Sequence, residues 1–425
     1  MASTYLTRSN GTPTSQQIFT FSAWVKRSGL NPSGNNMELF SQYNDTSNRM
    51  DFRFQTGDTI DFYHTSSLGR ITTNRLFRDT SAWYHIVLRV DTTQATSSDR
   101  YRLYINGVQE TSFSTATYPS QNANLGTNFS TFSIGDDSYG SGDFDGCMTH
   151  IYYTDGQSYD ADTFGETDAT TGIWKPKTAP SVTYGTNGFF LKFENSGAFG
   201  TDSSGNGNNF TVNGTMTQTI DTPSNVFCTW NALDKHASST LSNGNTKYAT
   251  SGTSQYEPAK CTLGFSSGKY YSEHQINSLS TTACFIGIYG TSVSGQSQSE
   301  MDTSRFCYNV QNGEIIKNAS NLQTGLATFT TNDILGIEVD CDAGTLKFYK
   351  NGTQVGTTIT DSDISSTEWS FGTQPRLATF SSNFGNGYFG TTAVASAGTN
   401  ASGIGIFEYD VPTGYTSLST KGLNL

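Results

Sequence analysis

Four aspartates crowd one glycine-rich loop, IGDDSYGSGDFDG, which places Asp136, Asp137, Asp143 and Asp145 in close succession. Calcium takes about six to eight oxygen ligands, and a loop of this composition can bend to supply them, so these four are the candidate Ca²⁺ ligands. The competing reading is that Asp and Gly are ordinary turn residues. Sugar recognition makes a different demand. It needs an aromatic face against the apolar side of a pyranose, with Asn, Asp and backbone groups reading hydroxyls. Tyr139, Tyr159 and Trp174 lie in loop sequence with such neighbours and are the candidate carbohydrate contacts. Aromatic residues also fill the interiors of β-sandwiches, and Trp24 and Trp83 are read in that way.

Catalysis has less to work with. Glycoside hydrolysis needs two carboxylates about 5–9 Å apart, one with a raised pKa. Glu166 and Asp168 are two residues apart but sit in a Gly/Thr-rich stretch, and Glu338 and Asp340 share one face of a strand, as acidic residues on solvent-facing strands commonly do. The five histidines stand singly, and no G-x-S-x-G motif accompanies them. No C-x-x-C pair occurs among Cys147, Cys228, Cys261, Cys284, Cys307 and Cys341, which argues against a zinc or redox site and for buried free thiols, with disulfides the alternative. The expectation is a non-enzymatic protein.

The elements that must position these residues are strands. Leu335, Ile337 and Val339 alternate with Gly336, Glu338 and Asp340, a turn follows at CDAG, and Asn351-Gly352 closes the hairpin that Asp333–Gly352 predicts. The phrase occurs twice. HIVLRVD at 85–91 and YRLYINGVQ at 101–109 repeat it, which suggests two sandwiches of related design. Length agrees: 425 residues suit two domains of about 200 each. Gly 43, Tyr 22 and Phe 28, beside only 14% charged residues, mark an all-β chain with many turns. Helical periodicity is not sustained anywhere; Ser158–Glu166 is long enough for a turn or two.

A net charge of −12 without a basic cluster argues against nucleic-acid binding. No apolar run approaches the roughly 20 residues of a membrane span, and the first residues lack the apolar core of a signal peptide, so a soluble chain without membrane insertion is expected.

Ten or so strands without intervening helices fill the first half. There the pieces FSAWVK, WYHIVLRVD, LYING and IGD…FDGCMTHIYY resemble the laminin-G/concanavalin-A-like lectin fold. DGQSYDADTFGETDATTGIWKPK and the following LKFENSGAFGTDSSGNGNNFTVNG resemble a version of that domain found in proteins of marine bacteriophages. Folds of this class often hold Ca²⁺ at the sandwich rim, which is what the resemblance implies for Asp136–Asp145. In the second half SSGKYYSEHQI, CFIGIYG, DILGIEVDCDAGTLKFYKNG and FSSNFGNGYF resemble a SPRY domain. The chain is thus expected to be two tandem antiparallel β-sandwiches: a concanavalin-A-like jelly roll over residues 1–200, a connector over 201–224, and a SPRY-like sandwich over 225–425.

The resemblance implies a virion surface protein of a tailed bacteriophage, made in the host cytoplasm: a fibre, spike or head-decoration subunit. Its expected partners are other virion proteins and host-surface glycans. It is expected to be a homo-oligomer, with a trimer favoured. A polysaccharide depolymerase and a purely architectural subunit are the alternatives.

Overall fold

The computed structural model describes residues 4–30, 34–65, 68–125, 129–137, 139–140, 142–252, 255–280 and 283–425. The chain divides into two compact units, Met1–Gln218 and Thr219–Leu425.

Alternation in the strand Ile18–Arg27 sets the first unit. Phe19, Phe21, Ala23 and Val25 enter the core, while Thr20, Ser22 and Trp24 point to the other face. Two antiparallel sheets enclose that core. One runs Phe113–Thr117, Arg70–Thr73, Ile60–His64, Asn48–Phe54, Met37–Asp45, Thr131–Ile134, Tyr5–Ser9, Thr211–Asn213. The other runs Phe189–Leu191, Gly146–Asp155, Ile18–Arg27, Tyr84–Asp91, Tyr101–Ile105, Val108–Glu110. Phenylalanines from both meet between them, as in the Phe21–Phe40 contact at 4.7 Å, and such pairs add about 0.5–1.5 kcal/mol beyond their buried area.

The expected connector is corrected by this sheet. Residues 201–218 belong to the first unit, because Thr211–Asn213 pairs with Tyr5–Ser9 and Phe210 packs on Phe189 at 4.8 Å. Asp202 fastens the approach by accepting the backbone N–H groups of Phe190, Ser204 and Asn208. In Ser158–Glu166 the structure has one 3₁₀ turn, Ala161–Thr163.

The second unit repeats the two-layer plan. Trp230–Lys235, Ala259–Cys261, Trp369–Pro375, Cys284–Gly290, Arg305–Asn309, Glu314–Lys317 and Ser320–Gln323 form one sheet. Thr240–Ser242, Lys247–Ala249, Ala378–Asn383, Lys269–Leu279, Ile334–Asp340, Thr345–Lys350 and Thr353–Thr360 form the other, and Thr416–Ser417 adds to Lys269–Leu279 in parallel. Trp230, Trp369, Ile286, Ile337 and Phe380 fill the space between. The segment after Thr392–Ala393 folds back on itself, with Gly398 N–H donating to Phe407 O and Val411 N–H to Thr399 O.

The repeated sequence phrase gives a repeated turn. Asn106 and Asn351 adopt φ +49° and +50°, and Gly107 and Gly352 follow at +82° and +77°, as a two-residue hairpin turn requires. Each asparagine then ties itself to the preceding strand. The Asn106 side chain accepts His85 N–H at 2.8 Å, and its own N–H donates to His85 O. Asn351 does the same with Ile334. The glycines share a task as well, because each lies under an aromatic ring. A Cβ on Gly107 would sit 2.9 Å from the Trp174 ring, and one on Gly352 would sit 2.6 Å from that of Tyr409.

Candidate functional site

The four aspartates do not converge. Among the described residues no group of three or more His, Cys, Asp or Glu is placed to hold a metal ion. Asp137 is committed to its own loop, accepting the N–H groups of Tyr139 at 3.1 Å and Gly140 at 2.7 Å. Asp145 turns toward Arg27; burial raises its carboxyl and that guanidinium opposes the rise. Asp136 borders a surface groove. Among the described residues the expected calcium site at Asp136, Asp137, Asp143 and Asp145 is not assembled: Asp137 caps its own turn and Asp145 faces Arg27.

What the loop does is cover a charged sheet face. Cross-strand register puts Glu38 beside Arg53, Arg53 beside Asp61, and Asp51 between Ser41 and Tyr63, all on the face opposite the core. Arg53 sits among three carboxylates, at 3.4 Å from Glu38, 3.4 Å from Asp51 and 3.2 Å from Asp61. Glu38, Asp51 and Asp61 are each 0% exposed. The glycines make that enclosure possible, because a Cβ on Gly142 would come within 2.9 Å of Glu38 Cγ. Burial, and then Asp51, push the Glu38 carboxyl well above the ordinary range against the pull of Arg53.

Tyr139 belongs to this network. Its hydroxyl donates to Asp51 at 2.8 Å, the Arg49 guanidinium lies 4.2 Å from its ring centre, and Tyr43 stacks on it at 5.1 Å. Tyr43 in turn lines an open groove of about 380 Å³ with Tyr5, Thr7, Asn44, Ser130, Thr131 and Asp136. Two tyrosines among hydroxyl, amide and carboxylate groups have the chemistry of a sugar-binding surface. Tyr139 was legible in its loop as an aromatic candidate. Tyr5 and Tyr43 were not: strict alternation along MELFSQY would set Tyr43 on the face of Met37 and Leu39, and the irregularity between Glu38 and Phe40 turns it to the polar face.

Tyr159 and Trp174 lie together elsewhere, on the outer face of the six-stranded sheet, in a cluster with Tyr152, Phe164 and Phe190. Trp174 covers His85: the indole N–H donates to His85 Nδ1 at 2.9 Å, while Trp24 stacks on the same imidazole at 4.8 Å. Burial pushes His85 down to about 3, which keeps it neutral. Tyr159 accepts Thr183 N–H through its hydroxyl oxygen at 3.0 Å. Both residues pack a second small core, so the three aromatic candidates do not form one site. Nearby, Lys175 holds Asp168 at 2.8 Å and Glu166 at 3.7 Å in a surface ion-pair group.

In the second unit the outer face of the strands Lys269–Leu279, Ile334–Asp340 and Thr345–Lys350 carries Tyr271, Glu273, Gly336, Glu338, Asp340, Lys347 and Tyr349. Glu338 is bound by Lys347 at 2.7 Å and by the Tyr349 hydroxyl. Asp340 is bound by Lys269 at 2.9 Å. The C-terminal segment crosses this face, packing Phe407, Val411 and Tyr415 around Tyr271. Glu273 anchors it, accepting the N–H groups of Glu408 at 2.8 Å and Tyr409 at 2.9 Å and the Tyr271 hydroxyl at 3.2 Å. Burial pushes the Glu273 carboxyl up to about 7, with those donors opposing it. A cavity of about 120 Å³ remains, framed by Tyr271, Tyr349, Gly352, Tyr409, Asp410 and Pro412.

Residues 1–155 match the concanavalin A-like lectin/glucanases superfamily, and residues 269–368 match the SPRY domain. Concanavalin-like and SPRY domains therefore stand in tandem in an all-β chain, and such domains fit a binding or adhesion role. Similar solved structures include the SPRY domain of human HERC1, at 16% identity and a TM-score of 0.32 over 36% of this chain and 96% of that one. The PSpry domain of TRIM65 shares 14% identity over 36% of this chain and 90% of its own, at a TM-score of 0.30. Stonustoxin shares 19% identity over 36% of this chain and 26% of its own, also at 0.30. The chain matches no curated protein sequence.

Proposed function

We propose that the chain is a non-enzymatic adhesion subunit on the surface of a tailed-bacteriophage virion, made in the host cytoplasm, that binds host-surface carbohydrate. The groove beside Tyr43 carries this reading, because it sets two tyrosines among sugar-reading polar groups on a lectin-like sandwich. The likeness of the 155–214 stretch to bacteriophage laminin-G domains supports the setting. A homo-oligomer, as a trimer, multiplies weak single contacts into useful avidity. Its other partners are neighbouring virion proteins. Depolymerase activity is the second reading, favoured by one observation: Glu38, with its raised pKa, stands beside Asp51 on the face where a glycan would lie. Both carboxylates are closed to solvent, which favours adhesion.

The test combines binding and hydrolysis on one sample. Purified chain is expected to bind bacterial surface polysaccharide and release no reducing ends, and Tyr43→Ala is expected to abolish binding at unchanged melting temperature. Released reducing ends would overturn the non-enzymatic reading. Binding indifferent to Tyr43→Ala would overturn the groove, and absence of binding to any glycan would favour an architectural subunit.

A further inference from the structure

We propose that the cavity framed by Tyr271, Tyr349, Tyr409, Asp410 and Pro412 is a binding site for an alkylated ammonium group, such as a trimethylammonium head group. The site does not depend on the adhesion reading, since it lies in the other unit and takes a different ligand.

Charge is the first argument. Glu273 is 0% exposed, yet among the described residues its donors are neutral: two backbone N–H groups, the Tyr271 hydroxyl and the Asn383 amide. Glu408 and Asp410 are likewise held by neutral donors, Ala395 N–H and the Thr399 N–H and hydroxyl. Among the described residues none of these three carboxylates is in an ion pair, whereas the neighbouring Glu338, Asp340 and Asp333 each have a lysine. Asp410 lines the cavity, and Glu273 adjoins it through its bonds to Tyr271 and Tyr409, so a cation there would meet carboxylates that have no lysine or arginine partner among the described residues.

The rings are the second argument. Tyr271 and Tyr349 both donate their hydroxyl protons to carboxylates, which enriches the ring faces in electron density. It also withdraws those protons from any neutral hydroxylated ligand. Electron-rich tyrosine faces beside carboxylates are the surroundings in which quaternary ammonium ions bind. Size agrees, since 120 Å³ approaches the cavity of about 150 Å³ known to admit a benzene ring. Two glycines keep the space open. A Cβ on Gly336 would lie 2.9 Å from the Tyr271 hydroxyl oxygen and 3.2 Å from Tyr349 Cβ, and Gly352 lets the Tyr409 ring approach. Tyr409 and Asp410 come from the segment beyond residues 269–368, so this chain's own extension completes the site.

Affinity should depend on pH through Glu273. Facing its carboxyl are Tyr271 on its own strand, Asn383 on the adjacent strand, and Glu408 and Tyr409 on the crossing segment. Burial raises both tyrosines, so they stay neutral, and the carboxyl at about 7 changes charge in the working range. An ionised Glu273 attracts the cation and a protonated one does not, so binding tightens as pH rises.

Calorimetric titration of the full chain with tetramethylammonium and with choline, at pH 6 and pH 8, tests this, with glucose as the neutral comparator. One saturable site for both ammonium ions, tighter at pH 8, and no glucose binding are expected. Tyr409→Ala should weaken it roughly two- to thirty-fold while Tyr409→Phe retains it. Asp410→Asn, which removes no ring, should also weaken it. The proposal is overturned if neither ammonium ion binds saturably, if glucose binds in their place, or if both Tyr409→Ala and Asp410→Asn bind as the parent does. Loss of polysaccharide binding with ammonium binding intact would fault the adhesion reading alone.

Discussion

Arg53 and Glu273 show how much a single side chain decides. Arg53 is the common partner of three enclosed carboxylates, and its removal would leave them buried without their shared cation. Arg53→Ala should therefore cost the first unit about 3–5 kcal/mol, read from urea unfolding, whereas a half-buried surface pair such as Arg102–Asp99 should cost under about 1 kcal/mol. Glu273 sets a pH response in the second unit. Its carboxyl sits at about 7 when folded, against an ordinary value of 4.5. The folded chain therefore binds the extra proton, and this contribution is complete below about pH 4.5 and lost as pH rises through about 7. Over that window the second unit should lose about 3 kcal/mol of stability, and Glu273→Gln should flatten the slope in thermal scans. Neither role was legible in sequence. Strand alternation shows which residues share a face, but not that a loop or a terminal segment will cover it and change the electrostatics there. Tyr159 and Trp174 mislead for the same reason: each stands in loop sequence, and each is drawn onto a sheet.

Hairpins were the most legible elements. Asn-Gly demands positive φ at both positions, so sequence alone locates the turn and, through it, the register of the flanking strands. The same physics makes both turns sensitive. Gly352→Ala adds the left-handed penalty, about 1–2 kcal/mol, and drives a methyl group into the Tyr409 ring. Loss of at least that much stability is expected in the second unit, together with weaker ammonium binding. Gly107→Ala should act alike on the first unit through Trp174. The strand Thr211–Asn213 was harder to see. It is three residues long in a Gly- and Asn-rich stretch, and only pairing with Tyr5–Ser9 makes it a strand. Short edge strands are defined by their partners, not by their own composition.

Two β-sandwiches sharing one chain have different means of keeping their shape. The first invests in an ion-pair face, the second in a crossing C-terminal segment, and neither gathers carboxylates around a metal among the described residues. EDTA should leave the melting temperature of the whole chain unchanged, and a drop on chelation would restore the calcium reading. The six cysteines carry one more consequence. None is in a disulfide; Cys147 in the first unit is half-buried, and Cys228, Cys261, Cys284, Cys307 and Cys341 in the second are buried. Burial holds Cys307 up at about 11 and Cys341 at about 12, so little thiolate exists for an alkylating reagent to capture. Under native conditions maleimide should react with Cys147 alone. The other five become reactive only in molecules whose second sandwich has opened, so their labelling rate is a clock for that opening, readable by mass spectrometry without denaturant or dye. The distribution of sulfur along the chain thus gives the second sandwich its own built-in reporter of breathing, with the natively reactive Cys147 as the internal reference.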